Sequence, residues 1–262
     1  MPNSHANIFV EFTRLSYITQ VEGHPFSIEA DLPFATLKNV NIPPTNNLVA
    51  GGLADPDIHL TYFITADLVA QRWLGITNFF FLPLGRGFEN QKAVNIATAR
   101  QFTDIPQIGY TEGLGKFSPA LGGVFFDLMM NAAIHTNGNS PLTVPGVLNY
   151  QTLIQRPSYQ ILAFLRYQPE GFQFVAIGLE KSWGGQQIAT NGTFTATGLP
   201  LTKPQDNLPL SEDENLRGHF QFQLQTAQDF AVAADLYHDF NVTGRFRQNI
   251  GVEIRLAKLF AP

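Results

Sequence analysis

Apolar and polar residues alternate with a period of two along most of this chain. In its final segment, Val252 and Ile254 alternate with Glu253 and Arg255, and the run ends close to Phe260. Successive side chains of a β-strand point to opposite faces, so this pattern predicts a strand with one apolar face and one mixed face. Helical periodicity is almost absent, and its best candidate, 66–71, is short enough to be a connector.

The same alternation predicts eleven strands. Most are about ten residues long, which suits a tilted strand that crosses a membrane better than the five or six residues of a typical soluble strand. The predicted strands are Phe9–Tyr17, Phe26–Lys38, Ile58–Thr65, Trp73–Leu82, Ile105–Lys116, Val124–Thr136, Ser158–Tyr167, Phe172–Trp183, Leu216–Gln225, Asp229–Asp239 and Gln248–Phe260.

Short and long connections alternate between these strands. The short ones are 21–25, 66–72, 117–123, 168–171 and 226–228, and the long ones are 39–57, 83–104, 137–157, 184–215 and 240–247. Short turns on one side and long loops on the other are typical of outer-membrane barrels, whereas a soluble sandwich has no reason to keep its long loops together. Because these loops are rich in Asn, Gly, Pro and Thr, we expect them to be irregular rather than folded.

The amino-acid composition excludes several classes of function. Only 14% of the residues are charged, 23 are Phe, and there is no cysteine. Disulfide scaffolds, zinc–thiolate sites and cysteine nucleophiles are therefore excluded. The net charge of −5 argues against nucleic-acid binding. Because no apolar run approaches the length of a transmembrane helix, any membrane span must be built from strands.

The alternation also assigns side chains to faces. Tyr159 and Tyr167 bracket an apolar centre on one face of their strand, as interfacial aromatics do in a lipid-facing strand. The opposite faces of the strands predict a lumen with charges of both signs and several aromatic rings, which suits amphiphilic or aromatic solutes. The predicted lumen-lining residues are Glu29, Asp31, His59, Phe63, Phe125, Asp127, Phe164, Arg166, Glu180, His219, Asp235, Glu253 and Arg255.

Four segments resemble the outer-membrane transporter family named for the meta-pathway of phenol degradation. They are Leu15–Gly23 (LSYITQVEG), Gly52–Ile58 (GLADPDI), Leu82–Gly85 (LPLG) with Asn95 ahead of Pro106, and Trp183–Gly192 (WGGQQIATNG). The resemblance runs diffusely over nearly the whole chain. It implies a monomeric 12-stranded barrel in the bacterial outer membrane that takes up small, often hydrophobic molecules.

An even strand number is the rule for single-chain bacterial barrels, whereas eleven strands are recognised here. Counting the connections backward from Phe260 makes Phe9–Tyr17 the second strand, so we expect the first strand to be missing from the N-terminus. Alternatively, a twelfth strand lies in Val147–Gln155, although that position would break the alternation of short and long connections.

The sequence thus predicts an all-β, transmembrane, antiparallel up-and-down β-barrel, with residues 1–262 as a single domain. Its expected partners are outer-membrane lipid and small-molecule solutes, with no nucleic acid, no cofactor and no metal. The alternative is a soluble or periplasmic β-barrel that binds an apolar ligand. An embedded lipase or protease is disfavoured, because His135 with Asn131 is the nearest approach to a catalytic group and no Gly-x-Ser-x-Gly occurs.

Overall fold

Extended backbone dominates the structure. The computed structural model describes residues 7–42, 45–53, 55–84, 102–115, 122–136, 143–144, 148–149, 152–170, 173–190, 203–206, 212–227, 230–244 and 250–258. Every regular element in these ranges is a β-strand. Within them, no helix is long and apolar enough to cross a membrane.

The strands fall into one large sheet and two small ones. In chain order they are β1 (Asn7–Val21), β2 (His24–Ile42), β3 (Thr45–Leu53), β4 (Asp57–Asp67), β5 (Arg72–Phe81), β6 (Thr103–Gly113), β7 (Gly123–His135), β8 (Thr143–Val144), β9 (Leu148–Asn149), β10 (Thr152–Gln155), β11 (Ser158–Glu170), β12 (Gln173–Gly184), β13 (Gln187–Thr190), β14 (Gln205–Asp206), β15 (Glu212–Ala227), β16 (Phe230–Gly244) and β17 (Gly251–Lys258).

Eleven strands follow one another in the large sheet in the order β1-β2-β4-β5-β6-β7-β11-β12-β15-β16-β17. Each pairs antiparallel with its neighbour along the chain, so the topology is up-and-down. All eleven predicted strands are confirmed, with bounds that shift by a few residues. Among the described residues, β1 and β17 form the two ends of this path.

The expectation that the long loops are irregular is wrong for three of them, 39–57, 137–157 and 184–215, whereas 85–101 lies outside the described residues. β3 pairs with the far half of β2, β8 pairs with β9, and β10, β13 and β14 form a separate three-stranded sheet. The physical reason is that an extended chain must find partners for its backbone N–H and C=O groups, and neighbouring loop strands supply them. The proposed twelfth strand in 147–155 is not part of the large sheet, because β10 pairs with β13 instead.

The strand ends that the short connections join lie together at one end of the sheet, the turn end, and those that the long connections join lie at the opposite end, the loop end. Between β1 and β2 the turn is only two residues, since Val21 pairs directly with His24. Glu22 and Gly23 have φ angles of +52° and +82°. Two successive positive φ angles define the type I′ turn that matches the twist of a hairpin.

The two faces of the large sheet differ sharply. The apolar face carries Ile177 and Leu179, which are 58% and 55% exposed, whereas the opposite, polar face carries Phe125 and Phe164, which are 4% and 5% exposed. Residues paired directly across neighbouring strands share a face, as do residues two apart on one strand. The polar face is therefore the face that includes Asp127, Arg166, Glu180, His219 and Asp235, together with their register partners.

Candidate functional site

Three aromatic rings on the polar face lie flat against glycines of the next strand. Phe63 pairs with Gly75, Phe164 with Gly178, and Tyr237 with Gly251. A Cβ added at Gly178 would lie 2.2 Å from Cδ1 of Phe164, and one at Gly251 would lie 2.0 Å from Cζ of Tyr237. The absence of a side chain at these positions lets the rings pack along the wall of the sheet.

An Arg–Asp pair joins β7 and β11. Arg166 Nε donates to Asp127 Oδ2 at 2.7 Å, and Arg166 Nη2 donates to Asp127 Oδ1 at 3.1 Å. Thr111 on β6 donates to the same carboxylate at 2.7 Å. The guanidinium also lies over the ring of Phe125, 4.7 Å from its centroid. This bidentate geometry uses both carboxylate oxygens and fixes the plane of the guanidinium.

His219 on β15 lies between two carboxylates from its neighbouring strands. Its Nε2 is 3.1 Å from Glu180 Oε2, and its Nδ1 is 3.0 Å from Asp235 Oδ2. Gln221 donates to Asp235 at 2.9 Å, and the ring of Phe164 lies 5.7 Å from the imidazole. We call Glu180, His219 and Asp235 the His219 cluster. It places two acids and one imidazole within one small patch of the wall.

Asp239 lies on β16, four residues closer to the loop end than Asp235, and it is fully buried. Arg217 Nε donates to its Oδ1 at 2.6 Å, and Asn215 Nδ2 donates to the same oxygen at 3.2 Å. The guanidinium of Arg217 lies 4.4 Å from the ring centroid of Tyr237. A buried carboxylate needs such charged and polar partners, because an uncompensated charge is costly to desolvate.

A second histidine cluster lies on β1, β2 and β4. Arg14 donates to both oxygens of Asp31, at 2.8 and 2.7 Å, and its Nη1 is 3.2 Å from Glu29. His59 Nε2 contacts Asp57 and lies 3.9 Å from Asp31, while its Nδ1 lies 3.8 Å from Glu29. We call these five residues the His59 cluster.

Asp31, Asp57 and His59 each offer one ligand-type atom, and the three atoms lie within 4.8 Å of one another. Arg14, however, already holds both oxygens of Asp31. A carboxylate that is bound bidentately to a guanidinium is a poor ligand for a cation, because its lone pairs and its charge are already engaged. The geometry is that of an ion-pair network.

The structure brings most of the predicted lumen residues into three groups. Phe125, Asp127 and Arg166 form one group, Glu180, His219 and Asp235 a second, and Glu29, Asp31 and His59 a third. Phe63 and Phe164 lie against their glycines, and Glu253 pairs in register with Asp235. The side chain of Arg255 lies outside the described residues.

The sequence analysis does not predict five polar residues that belong to the His59 cluster or to the contacts around Asp239. They are Arg14, Asp57, Asn215, Arg217 and Asp239. For three of them a signal existed, because Asp57 and Arg217 lie two residues, and Asp239 four residues, from a predicted inward-facing residue and therefore share its face. The sequence analysis places Asp57 in a loop, because the predicted strand begins at Ile58, whereas β4 begins one residue earlier, at Asp57.

On the apolar face, an aromatic pair lies at the loop end. Tyr159 pairs with Trp183, and their rings stack with centroids 5.7 Å apart and planes 26° from parallel. Tyr167 is exposed on the same face near the turn end of β11. Aromatic side chains at both ends of an apolar band are typical of strands that meet two membrane interfaces.

A meander of long antiparallel strands, with one exposed apolar face and one face of ion pairs, has the fold of a transmembrane β-barrel. The structure is similar to the crystal structure of an outer membrane channel from Pseudomonas putida F1, with a TM-score of 0.73 and 18% sequence identity over 98% of this chain and 86% of that one. Neither a family model nor a curated protein matches the sequence.

Proposed function

We propose that the protein is a channel of the bacterial outer membrane, through which small amphiphilic or aromatic solutes cross along the polar face. The observation that carries this proposal is the division of the sheet into an apolar face with large exposed side chains and a face of ion pairs. The fold shared with an outer membrane channel supports it. We further propose that the channel is monomeric and has no catalytic activity.

The division of the faces also argues against a soluble barrel that binds an apolar ligand. Such a protein needs an apolar interior and a charged exterior. Here Ile177, Leu179 and Ile254 are on the exposed face, whereas Asp31, Glu180 and Asp239 are buried. A continuous band of exposed large apolar residues requires a non-aqueous surrounding, and lipid provides one.

The solute class follows from the chemistry of the polar face. The half-buried rings of Phe63 and Tyr237 present aromatic surface along the wall, and Tyr237 lies beside the charged group of Arg217 and the imidazole of His219. A solute with an apolar body and a polar end can contact both kinds of group. A uniformly polar wall would not distinguish such a solute from a sugar of the same size.

The chain's two tryptophans provide a direct test, because one lies on each face. Trp73 pairs with Thr111 on the polar face, and its ring centroid is 6.3 Å from that of Phe125. Trp183 is exposed on the apolar face beside Tyr159. The two single-tryptophan variants, Trp183→Phe and Trp73→Phe, each report one face once they are reconstituted into liposomes.

We expect brominated lipids to quench the fluorescence of the Trp73→Phe variant, in which Trp183 remains. The Trp183→Phe variant should respond to aqueous acrylamide but not to brominated lipids. Ionic current through planar bilayers then tests the channel itself. The proposal fails if Trp73 is the lipid-accessible residue, or if the folded protein stays in the aqueous fraction and conducts no ions.

A further inference from the structure

Acidic groups outnumber guanidinium groups on the described part of the polar face. Three arginines on this face donate to carboxylates: Arg14 to Asp31, Arg166 to Asp127, and Arg217 to Asp239. Five further carboxylates share this face, namely Glu29, Asp57, Glu180, Asp235 and Glu253. The described face therefore has eight carboxylates and three guanidinium groups, or four when Arg255 is counted by its register pairing with Ala233.

The excess of acid is concentrated at the two histidine clusters. In the His59 cluster, Asp31 and Asp57 lie directly opposite each other on β2 and β4. Beside the His219 cluster, Asp235 and Glu253 lie directly opposite each other on β16 and β17. Like charges in directly opposed positions of an antiparallel pair repel each other. Each opposed pair therefore raises the negative potential at its part of the wall.

The histidines compensate for only part of this charge. His219 has a carboxylate at each ring nitrogen, at 3.0 and 3.1 Å, and a neutral imidazole has only one N–H to donate. An imidazolium would satisfy both carboxylates. If His59 and His219 were both protonated, eight carboxylates would still face five cations, or six with Arg255, so the excess of negative charge holds in either state.

The positions of the clusters extend this charge around the wall. His59 is on β4, the third strand of the path, and His219 is on β15, the ninth. The neutral pair of Arg166 and Asp127 lies between them, on β7 and β11. The two acidic patches are therefore six strands apart, so a solute that moves along the polar face meets negative charge from two separate parts of the wall.

We propose that the channel prefers cations, and that its preferred solutes are organic cations with an aromatic or apolar body. This inference rests on the proposed channel function and specifies the solute for the same polar face. Negative charge in a narrow interior attracts counter-ions and repels anions of the same size. The half-buried rings of Phe79 and Tyr237, with centroids 4.4 Å from the imidazole of His59 and 6.1 Å from that of His219, add the surface that an aromatic body requires.

The test is the reversal potential of single channels in a gradient of potassium chloride, followed by benzylammonium chloride and sodium benzoate as matched aromatic probes. We expect a reversal potential whose sign indicates cation selectivity. We also expect a higher permeability for benzylammonium than for benzoate. The variant E180Q/D235N removes two carboxylates of the His219 cluster and should shift the reversal potential toward zero. If that variant does not fold, E29Q/D57N makes the equivalent change in the His59 cluster.

The matched control is E112Q/E214Q, because Glu112 and Glu214 pair in register with apolar-face residues. It removes the same net charge from the other face and should leave the reversal potential unchanged. A zero or anion-selective potential, or an equal shift in both double variants, overturns the inference while the channel function stands. A folded protein that carries no current overturns both.

Discussion

The ring of Phe164 lies so close to Gly178 that a single methyl group should disturb the wall. In Gly178→Ala, the new Cβ would lie 2.2 Å from Cδ1, 2.4 Å from Cε1 and 2.8 Å from Cγ of Phe164. Contacts this short are repulsive, so the ring must move off the sheet. Because Phe164 is almost fully buried, it has little room to move without disturbing its neighbours. Overpacking of this kind costs about 1–3 kcal/mol.

Gly109 on β6 provides a matched control. A Cβ at Gly109 would meet nothing within 4 Å, and it too lies within a strand of the large sheet. Gly109→Ala should change the free energy of unfolding by less than about 0.5 kcal/mol. Urea titration of the reconstituted protein, followed by tryptophan fluorescence, measures both variants against the parent chain.

A double-mutant cycle isolates the contact. In a Phe164→Ala background the ring is absent, so the penalty of Gly178→Ala should disappear, and the two substitutions should be clearly non-additive. The reasoning is refuted if Gly178→Ala and Gly109→Ala have the same unfolding midpoint. It is refuted equally if the penalty persists when the ring has been removed.

Three further substitutions test separate contacts through the unfolding midpoint in urea. Asp127→Ala removes both carboxylate oxygens that accept from Arg166 and should cost about 1.5–3 kcal/mol, the range for hydrogen bonds to charged groups; a loss no larger than that of an exposed ion pair would contradict this. Arg72→Ala breaks the exposed ion pair with Glu112 at the turn end and should leave the midpoint unchanged. A clear shift would contradict the view that this exposed pair contributes little to stability. Gly23→Ala meets no neighbour within 4 Å but forces an L-residue into a φ of +82°, so it should cost about 1 kcal/mol, and a neutral effect would show that the turn can relax.

The strands of the large sheet could be predicted because their signal is local. Alternation in a segment such as Ser158–Tyr167 assigns every side chain to a face without knowledge of its partner, and β11 confirms both the extent and the exposure of that face. The small strands β3, β10, β13 and β14 could not be predicted in this way. β10, β13 and β14 have only two to four residues, and β3 (TNNLVAGGL) has no alternation of apolar and polar residues; all four become strands because another extended segment lies beside them.

The polar clusters were only half predictable for a related reason. The alternation places His219 and Asp235 on one face, but it does not fix the register that brings them within 3.0 Å. β15 and β16 also contain bulges, one of them between Leu216 and Arg217, and each bulge shifts the pairing by one residue. Asn215 lies beyond this shift and still donates to Asp239, so that contact spans an irregularity that no pattern of apolar residues reveals.

The pairing of charges across neighbouring strands constrains how such a wall can change during evolution or engineering. Replacing Asp127 alone leaves Arg166 without the carboxylate that it binds, whereas exchanging the two residues together keeps one acid and one base on the same two strands. Related sequences should accordingly vary at these positions in couples rather than singly. To alter which solutes the wall attracts, a designer would exchange or remove both members of an acid–base pair, so that no charged residue is left without its partner.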